Sequence, residues 1–541
     1  MRLRHWSLLL VPTCAAWLGC AGGEPGSASD FGDGQSPVSS DRPSGDGTDG
    51  AGTDEPRSDI SEPGDSDDVV LVTRTTRFHT AVGVAERQED LSANPPEIYV
   101  PSGNTFSVVS GSASPEGWRF SGIPSGAYYL RTGNSFVVTS ARAVDIGSNR
   151  LGRPDTVFSD WYGSPAQVNL VNLAPWVPYG GVTQPGSSLQ VASAQVDLYG
   201  GVNVFDEVLE GQTHLLSNNA EMWVSSGYAL PVFEADRGDR LYVSQHGQMD
   251  AGTLPDGTPL AYSALVRSVE MGAFDFVPDG ITPMPLTGVM RPVPMTEFPI
   301  EWRLPDFTRY VHAVHPLATA NYPSFFVMPA AHGLSDGWVG YSGEALSLMF
   351  PRGTSFNFTR RLSYGNPFPS SWEMVGGAQY SFRVQAEVPG GSGLWAYLSG
   401  SMYTYERLES LVAGPILPRV SPPRELTIDG LPASDSREVG SASPVIAWLP
   451  PSVGSPAAYR IAIYRFREDF RTSVLHGSVT VPGSLTQVRL PPGTLAPGGI
   501  YYLRVSAVEA PYYEMERFPF STMDRLPQAR ADTLSSFFTT P

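Results

Sequence analysis

Two short motifs in this chain have the residue types of a catalytic or metal site. Gly333-Leu-Ser-Asp-Gly337 has the spelling of a nucleophile elbow and follows His332 directly. An elbow needs a strand before its serine, a helix after it and a histidine later in the chain. The segment after Gly337, Trp338-Val-Gly-Tyr, does not open a helix, and His476 is the only later histidine. The motif therefore predicts a turn.

His312 and His315 form the second motif. On a strand, this spacing places the two side chains on opposite faces, and the glutamate of a zinc-protease motif is missing. Cysteine chemistry is excluded from the body of the chain, because Cys14 and Cys20 are the only cysteines. We predict no metal site, no cofactor and no assigned catalytic residue.

Acidic residues number 54, and all 35 basic residues are arginine because the chain has no lysine. The net charge of −19 argues against nucleic-acid binding, which needs a basic face to neutralise phosphates. A glycosidase carboxylate pair is defined by distance across a cleft and has no sequence spacing. A hydrolase with a carboxylate site in residues 165–415 therefore stays open as the alternative function.

Aromatic residues beside glycine and proline are candidates for ligand contact. Trp161 with Tyr162, and Trp176 with Tyr179, are of the kind that stacks on sugar rings in a binding loop, although core or turn packing is the alternative. Arg237-Gly-Asp239 spells an adhesion tripeptide, but its glycine and aspartate are ordinary turn residues before a strand.

The first twenty residues resemble a bacterial lipoprotein signal. Met1-Arg-Leu-Arg is a basic start, Leu8-Leu-Leu-Val11 begins an apolar core, and Ala16-Trp-Leu-Gly-Cys20 ends it, with Trp17 where the family usually has leucine. The resemblance implies lipidation of Cys20 and attachment to the outer membrane or cell surface through that lipid. An ordinary cleaved signal, giving a periplasmic or secreted protein, is the alternative.

Residues 21–69 are rich in Gly, Ser, Pro and Asp and have almost no large apolar side chain. Such a segment cannot bury enough surface to offset its ordering entropy. We predict a disordered acidic linker between the signal and the folded body.

The folded body is predicted to be all-β, because short alternating apolar runs are separated by abundant Gly and Pro turns. Leu495-x-Pro-x-Gly-x-Tyr-x-Leu-x-Val-x-Ala507 resembles the tyrosine corner and following strand of fibronectin type III domains. Partial copies occur at Pro124–Leu130 and Gly376–Ala386. The segment Trp118–Leu130 is also similar to carboxypeptidase regulatory-like sandwiches, which are accessory modules.

These patterns predict tandem immunoglobulin- or fibronectin-like β-sandwiches after the N-terminal tether. A long aromatic loop follows the corner strand and is a candidate contact surface through Tyr512, Tyr513, Phe518 and Phe520, with packing on a neighbouring domain as the alternative. The predicted divisions are a signal at 1–20, a linker at 21–69, a sandwich at 70–164, two sandwich units within 165–415, and a fibronectin type III-like domain at 420–541.

The sequence thus favours a non-catalytic binding or structural protein of the cell envelope. Its expected partners are the membrane, through the lipid, and a polysaccharide or another envelope protein, through loops and aromatic residues.

Overall fold

A computed structural model describes residues 68–225, 228–390 and 393–541. The signal, Cys20 and all but the last two residues of the predicted linker lie outside these ranges. Within them, strands dominate and the α-helices are short: α1 (Leu304–Thr308), α2 (Val311–Val314) and α3 (Leu408–Leu411). None of the helices described is long and apolar enough to cross a membrane. The all-β prediction is confirmed.

The N-terminal unit is a sandwich of two four-stranded sheets in the orders β10-β1-β7-β6 and β5-β4-β8-β9. Val72 and Phe120 from the first sheet pack against Ile98 and Leu130 from the second. A small sheet of β11, β2 and β3 flanks the sandwich. The strands are β1 (Val70–Thr73), β2 (Thr75–Thr80), β3 (Gly83–Gln88), β4 (Glu97–Ser102), β5 (Thr105–Ser110), β6 (Ser112–Ser114), β7 (Gly117–Phe120), β8 (Tyr128–Thr132), β9 (Ser135–Thr139), β10 (Ala143–Asp145) and β11 (Asn149–Leu151).

The next unit is a barrel, because its strand pairings close into a ring. The strand order is β12-β15-β14-β13-β16-β17. The ring closes because β17 pairs with β19, β19 continues β18 after Met290, and β18 pairs with β12. Leu189, Val191, Met222 and Leu286 are among the buried side chains of its core. The strands are β12 (Gly163–Val171), β13 (Ser188–Ser193), β14 (Leu198–Val204), β15 (His214–Val224), β16 (Leu241–Thr253), β17 (Pro259–Met271), β18 (Met284–Val289) and β19 (Arg291–Pro292).

The middle sandwich shares strand β17 with the barrel. Its large sheet has the order β17-β22-β21-β24-β25. The separate antiparallel pair of β20 and β23 contributes to the same hydrophobic core. Trp302 is fully buried there, with the rings of Phe307 and Phe350 edge-on to it. The strands are β20 (Met295–Arg303), β21 (Thr319–Ala330), β22 (Leu346–Met349), β23 (Asn357–Gly365), β24 (Glu373–Glu387) and β25 (Trp395–Arg407).

The C-terminal unit has a β-sandwich, fibronectin-like fold. Its two sheets have the orders β27-β26-β29-β32 and β31-β30-β33-β34, and Trp448 packs on Tyr459 between them. The strands are β26 (Arg424–Ile428), β27 (Leu431–Pro432), β28 (Arg437–Glu438), β29 (Val445–Leu449), β30 (Ala458–Arg467), β31 (Thr472–Pro482), β32 (Gln487–Arg489), β33 (Ile500–Glu509), β34 (Gln528–Leu534) and β35 (Phe538–Thr539).

One of the three tyrosine motifs forms the predicted corner. The Tyr501 hydroxyl accepts a hydrogen bond of 2.9 Å from the backbone N–H of Ala496, as in a fibronectin tyrosine corner. Tyr380 instead donates to the carbonyl of Thr354, and Tyr128 donates forward to the carbonyl of Ala141. These two tyrosines therefore tie down loops of their own units.

Both edges of the sheet β31-β30-β33-β34 are covered by strands from other units. β9 of the N-terminal sandwich pairs in parallel with β31, placing Phe136 opposite Val479. β25 of the middle sandwich pairs antiparallel with β34, placing Thr404 opposite Ala529. One ladder of backbone hydrogen bonds therefore runs through all the units. It crosses the domain boundaries predicted near residues 164 and 415, and these boundaries stay predictions.

A buried ion cluster fixes the junction of β25 with β34. Asp532 is fully buried and accepts hydrogen bonds from the Ser506 hydroxyl at 2.7 Å, the Ser401 backbone N–H at 2.9 Å and Arg530 at 3.2 Å. Burial opposes its ionisation, but Arg530 and Arg504 with these donors hold the pKa of Asp532 below its usual range. The junction therefore depends on the ionised form.

We predict that Asp532→Ala lowers the free energy of unfolding by about 3 kcal/mol, because it leaves buried guanidiniums without their counter-charge. Chemical unfolding at neutral pH measures this change. Because the pKa is lowered in the folded state, the contribution is complete above the ordinary aspartate value of 3.8 and is lost as the pH falls below it.

The matched control is Asp469→Ala, which removes an ion pair with Arg467 whose two side chains are largely exposed. It is expected to leave the free energy of unfolding unchanged. Equal effects of the two substitutions would contradict a special role for the Asp532 cluster.

Candidate ligand-binding cleft

A cleft with a volume of about 340 Å³ lies where the barrel meets the middle sandwich. At this position β17 pairs with β16 of the barrel and with β22 of the sandwich, so residues of both units line it. Ligand sites occur preferentially at such boundaries. The aromatic side chains in the lining are Trp176, Tyr179, Tyr199, Trp223 and Phe326, and the carboxylates are Asp206 and Glu344.

Two consecutive glycines in β14 create the space for Trp223. A Cβ atom on Gly201 would stand 2.6 Å from the Trp223 ring, and one on Gly200 would stand 2.0 Å from its carbonyl oxygen. No other residue fits at these positions without a shift, so the indole lies directly on the backbone of the neighbouring strand. Glycine inside a strand commonly marks such a close approach.

Glu344 is held in the cleft through its backbone. Its N–H donates to Gln190 Oε1 at 3.0 Å, and its carbonyl accepts from His246 Nε2 at 2.9 Å. Gln190 lies on β13 and His246 on β16, so two barrel strands fix this turn of the middle sandwich. Gly343, with a φ of 105°, brings the turn close, since a Cβ there would stand 2.2 Å from Gln190 Oε1.

The Glu344 carboxyl has no compensating charge. Burial raises its pKa to about 7. His246 does not offset it, because burial lowers the histidine pKa and its Nε2 must donate to a carbonyl, which leaves a neutral ring. Across the residues that the structure describes, no group hydrogen-bonds to this carboxyl.

Asp206 lies at the exposed rim of the cleft. Its oxygens accept from the Ser217 hydroxyl at 2.7 Å and the Asn219 amide at 3.4 Å. The raised pKa of Glu344 is accounted for by burial, without a contribution from Asp206.

The structure brings two of the predicted contact residues together and leaves a third elsewhere. Trp176 and Tyr179 both line the cleft. Trp161 is outside it, with 49% of its surface exposed and its ring against Gly280, where a Cβ would stand 2.7 Å away. Ligand contact by any of the three stays a prediction.

The aromatic loop after β33 lies between the C-terminal and N-terminal sandwiches. The backbone carbonyls of Glu516 and Arg517 accept hydrogen bonds from Thr139 Oγ1 at 3.0 Å and from the N–H of Asp145 at 2.8 Å. Tyr513 is buried, Phe518 and Phe520 are half-buried, and Tyr512 is 58% exposed. Most of this surface therefore packs on the neighbouring unit, and a role in ligand contact stays a prediction for these four.

The remaining motifs occupy ordinary structural positions. Residues 334–336 form a single 3-10 turn between two glycines with left-handed φ, without the helix of a nucleophile elbow. Asp239 is fully buried and pairs with Arg153 at 2.9 Å, so the adhesion tripeptide is not presented on the surface. His315 is buried against Ser536 whereas His312 is exposed, and the pair lies on and just after helix α2 and not on a strand.

No protein-family model matches this chain, and no curated protein matches it. Among solved structures, the FN1–FN3 domains of chicken CNTN1 are 9% identical with a TM-score of 0.13, over 69% of this chain and 99% of that chain. A DUF3823 family protein from Bacteroides uniformis ATCC 8492 is 10% identical with a TM-score of 0.09, over 43% of this chain and 96% of that chain. A tetra-tandem repeat in the extending region of a large adhesion protein is 9% identical with a TM-score of 0.11, over 85% of this chain and 99% of that chain. These scores are too low to carry an argument.

We predict that Glu344→Gln removes a pH-dependent cost of folding. A carboxyl whose pKa rises from 4.5 to about 7 on folding binds a proton more tightly in the folded state. Its contribution to the free energy of unfolding therefore falls as the pH rises through this interval and is constant above it. The free energy of unfolding of the variant, relative to that of the wild type, should therefore be higher at about pH 8 than at about pH 5, as measured by chemical unfolding.

Glu387→Gln, at an exposed glutamate on β24, is the matched control and should follow the wild type at both pH values. A Glu344→Gln curve parallel to the wild type would show that the carboxyl is solvated and that the cleft does not bury it.

Proposed function

We propose that this protein is a non-catalytic binding protein of the bacterial cell envelope that holds an envelope ligand in the cleft. The observation that carries the proposal is the combination, in one cleft, of five aromatic side chains with the half-buried Glu344, whose carboxyl has no hydrogen-bond partner among the described residues. A site that is mostly apolar and has a few fixed polar groups is the usual form of a ligand pocket.

The polar groups of the cleft are positioned before any ligand arrives. Gln190 and His246 hold the Glu344 turn at hydrogen-bond distance, and Trp223 is locked on the glycine pair of β14. Preorganised groups on strands bind with a smaller entropy cost than groups on free loops. These features support recognition of a defined chemical group, with Trp176 and Tyr179 on the approach to it.

The proposed location in the cell envelope rests on the first twenty residues, whose resemblance to a lipoprotein signal supports lipidation of Cys20. In this proposal the linker places the β-rich body away from the membrane, at the outer membrane or cell surface. The sandwiches present the cleft to a polysaccharide or another envelope protein, and their strands supply rigidity.

A surface hydrolase is the second candidate, and one observation favours it. A carboxyl with a pKa of about 7 is suited to act as a general acid. Glycoside hydrolysis, however, needs a second carboxylate across the bond. The other carboxylate of the lining, Asp206, is exposed and already accepts hydrogen bonds from Ser217 and Asn219. Binding is therefore the proposed function, and hydrolysis is the alternative.

We predict that the purified full-length protein co-sediments with insoluble polysaccharide or envelope fractions without releasing sugars into the supernatant. The double variant Trp176→Ala/Tyr179→Ala should bind roughly tenfold more weakly or worse, because two aromatic contacts are lost. The control Trp395→Ala removes an aromatic residue of β25 that is 60% exposed and lies outside the cleft lining, and it should bind like the wild type.

Release of soluble sugars that Glu344→Gln abolishes would establish the hydrolase in place of the binding protein. Equal retention of the double variant and the wild type would exclude the cleft as the contact site, and failure of the wild type to pellet with any fraction would contradict the proposed function.

A further inference from the structure

We infer that the group recognised in the cleft is an organic ammonium ion, with the Glu344 carboxylate as its counter-charge and the surrounding aromatic faces as its walls. This inference deepens the proposed function and rests on it for the biological ligand. The charge, the burial and the aromatic side chains of the cleft lining indicate this class of ligand.

The formal charges in the lining are of one sign. Asp206 and Glu344 supply them, no arginine is among the lining residues described, and the whole chain has no lysine. The histidine of the lining, His246, is held neutral by burial and by its hydrogen bond to a carbonyl. An anionic ligand would therefore meet only repulsion here, whereas a cation would meet attraction.

The half-buried Glu344 carboxyl favours a cationic ligand over a neutral one. A neutral ligand in the cleft would exclude the remaining water from the carboxylate while leaving its charge unbalanced, which is costly. An ammonium group supplies both the charge and the N–H or C–H contacts that the carboxylate lacks. No arginine is among the lining residues described, so the ligand would supply this cation.

The aromatic side chains add a second, independent preference for an organic cation. Trp176, Tyr179, Tyr199 and Trp223 line the same cavity as the carboxylate. The negative face of an aromatic ring attracts a desolvated cation within about 6 Å of its centre, and cages of such rings are the usual sites for alkylated ammonium ions. A hydrated metal ion would gain little from these rings, which favours an organic ammonium group.

The groups that face Glu344 determine how binding varies with pH. From β14 and β25 the charge of Glu344 acts on Tyr199 and Tyr405, whose pKa values are raised mainly by burial, so both phenols stay neutral. From β16 His246 is neutral, and at the rim Asp206 is exposed. Glu344 is therefore the group that changes charge near neutrality, and cation binding should strengthen as the pH rises through about 7.

The test uses choline, whose charge does not change with pH, and its neutral carbon analogue, in which a tert-butyl group replaces the trimethylammonium group. Calorimetric titration of the full-length protein should show choline binding at about pH 8 that is roughly tenfold or more weaker at about pH 5.5. The neutral analogue should bind at least roughly tenfold more weakly than choline at the higher pH, because it fills the same volume without charge.

Glu344→Gln should abolish the pH dependence and weaken choline binding at about pH 8 to the level of the neutral analogue. This variant is expected to be folded, because it removes an unpartnered, partly desolvated charge and keeps nearly the same side-chain shape. Glu387→Gln is the matched control and should bind choline as the wild type does.

Free choline should also release the protein from envelope fractions if the natural ammonium group is carried on an envelope polymer. Direct choline binding without such release would assign the site to a free, small ammonium compound and leave the ammonium inference intact. Absence of choline binding at about pH 8, equal binding of the two compounds, or unchanged binding by Glu344→Gln would overturn the inference. Sedimentation with envelope fractions in that case would leave the proposed function standing, since it is measured separately.

Discussion

The two edge strands of the C-terminal sheet must pair their backbone groups, and this requirement organises the whole molecule. An exposed edge leaves a row of unpaired N–H and C=O groups open to aggregation. Here β31 is paired by β9 and β34 is paired by β25. The fibronectin-like sandwich is therefore the centre of the assembly, although it comes last in the chain. The Asp532 cluster at one junction and the aromatic loop at the other stabilise these contacts.

The cleft is a consequence of the same continuous ladder. The sheet that β25 attaches to the centre continues through β24, β21 and β22 to β17, and β17 is also a wall of the barrel. The barrel and the middle sandwich cannot separate without breaking this shared strand. Residues from both, such as Gln190 and Glu344, are thus held at fixed distances, as a preorganised binding site requires.

Local patterns predicted the strands well, whereas contacts between distant segments could not be predicted. The alternation at Tyr501 and its hydrogen bond to Ala496 follow from a short motif, because the corner closes within five residues. Tyr128 has the same spacing but bonds to Ala141, which depends on the path of a later loop. Of the cleft, Trp176 and Tyr179 were predicted from their local context. Glu344 was not, because its burial depends on strands more than 90 residues earlier; the glycine pair Gly200-Gly201 was the available signal.

Binding of a cationic ligand in the cleft between the barrel and the middle sandwich is tested most directly by a crystal structure of the protein with choline at alkaline pH. We expect density for the trimethylammonium group against the Glu344 carboxylate and among the rings of Trp176, Tyr199 and Trp223. Choline bound instead at an exposed aromatic such as Trp161 or Trp395, with the cleft filled by water alone, would contradict it.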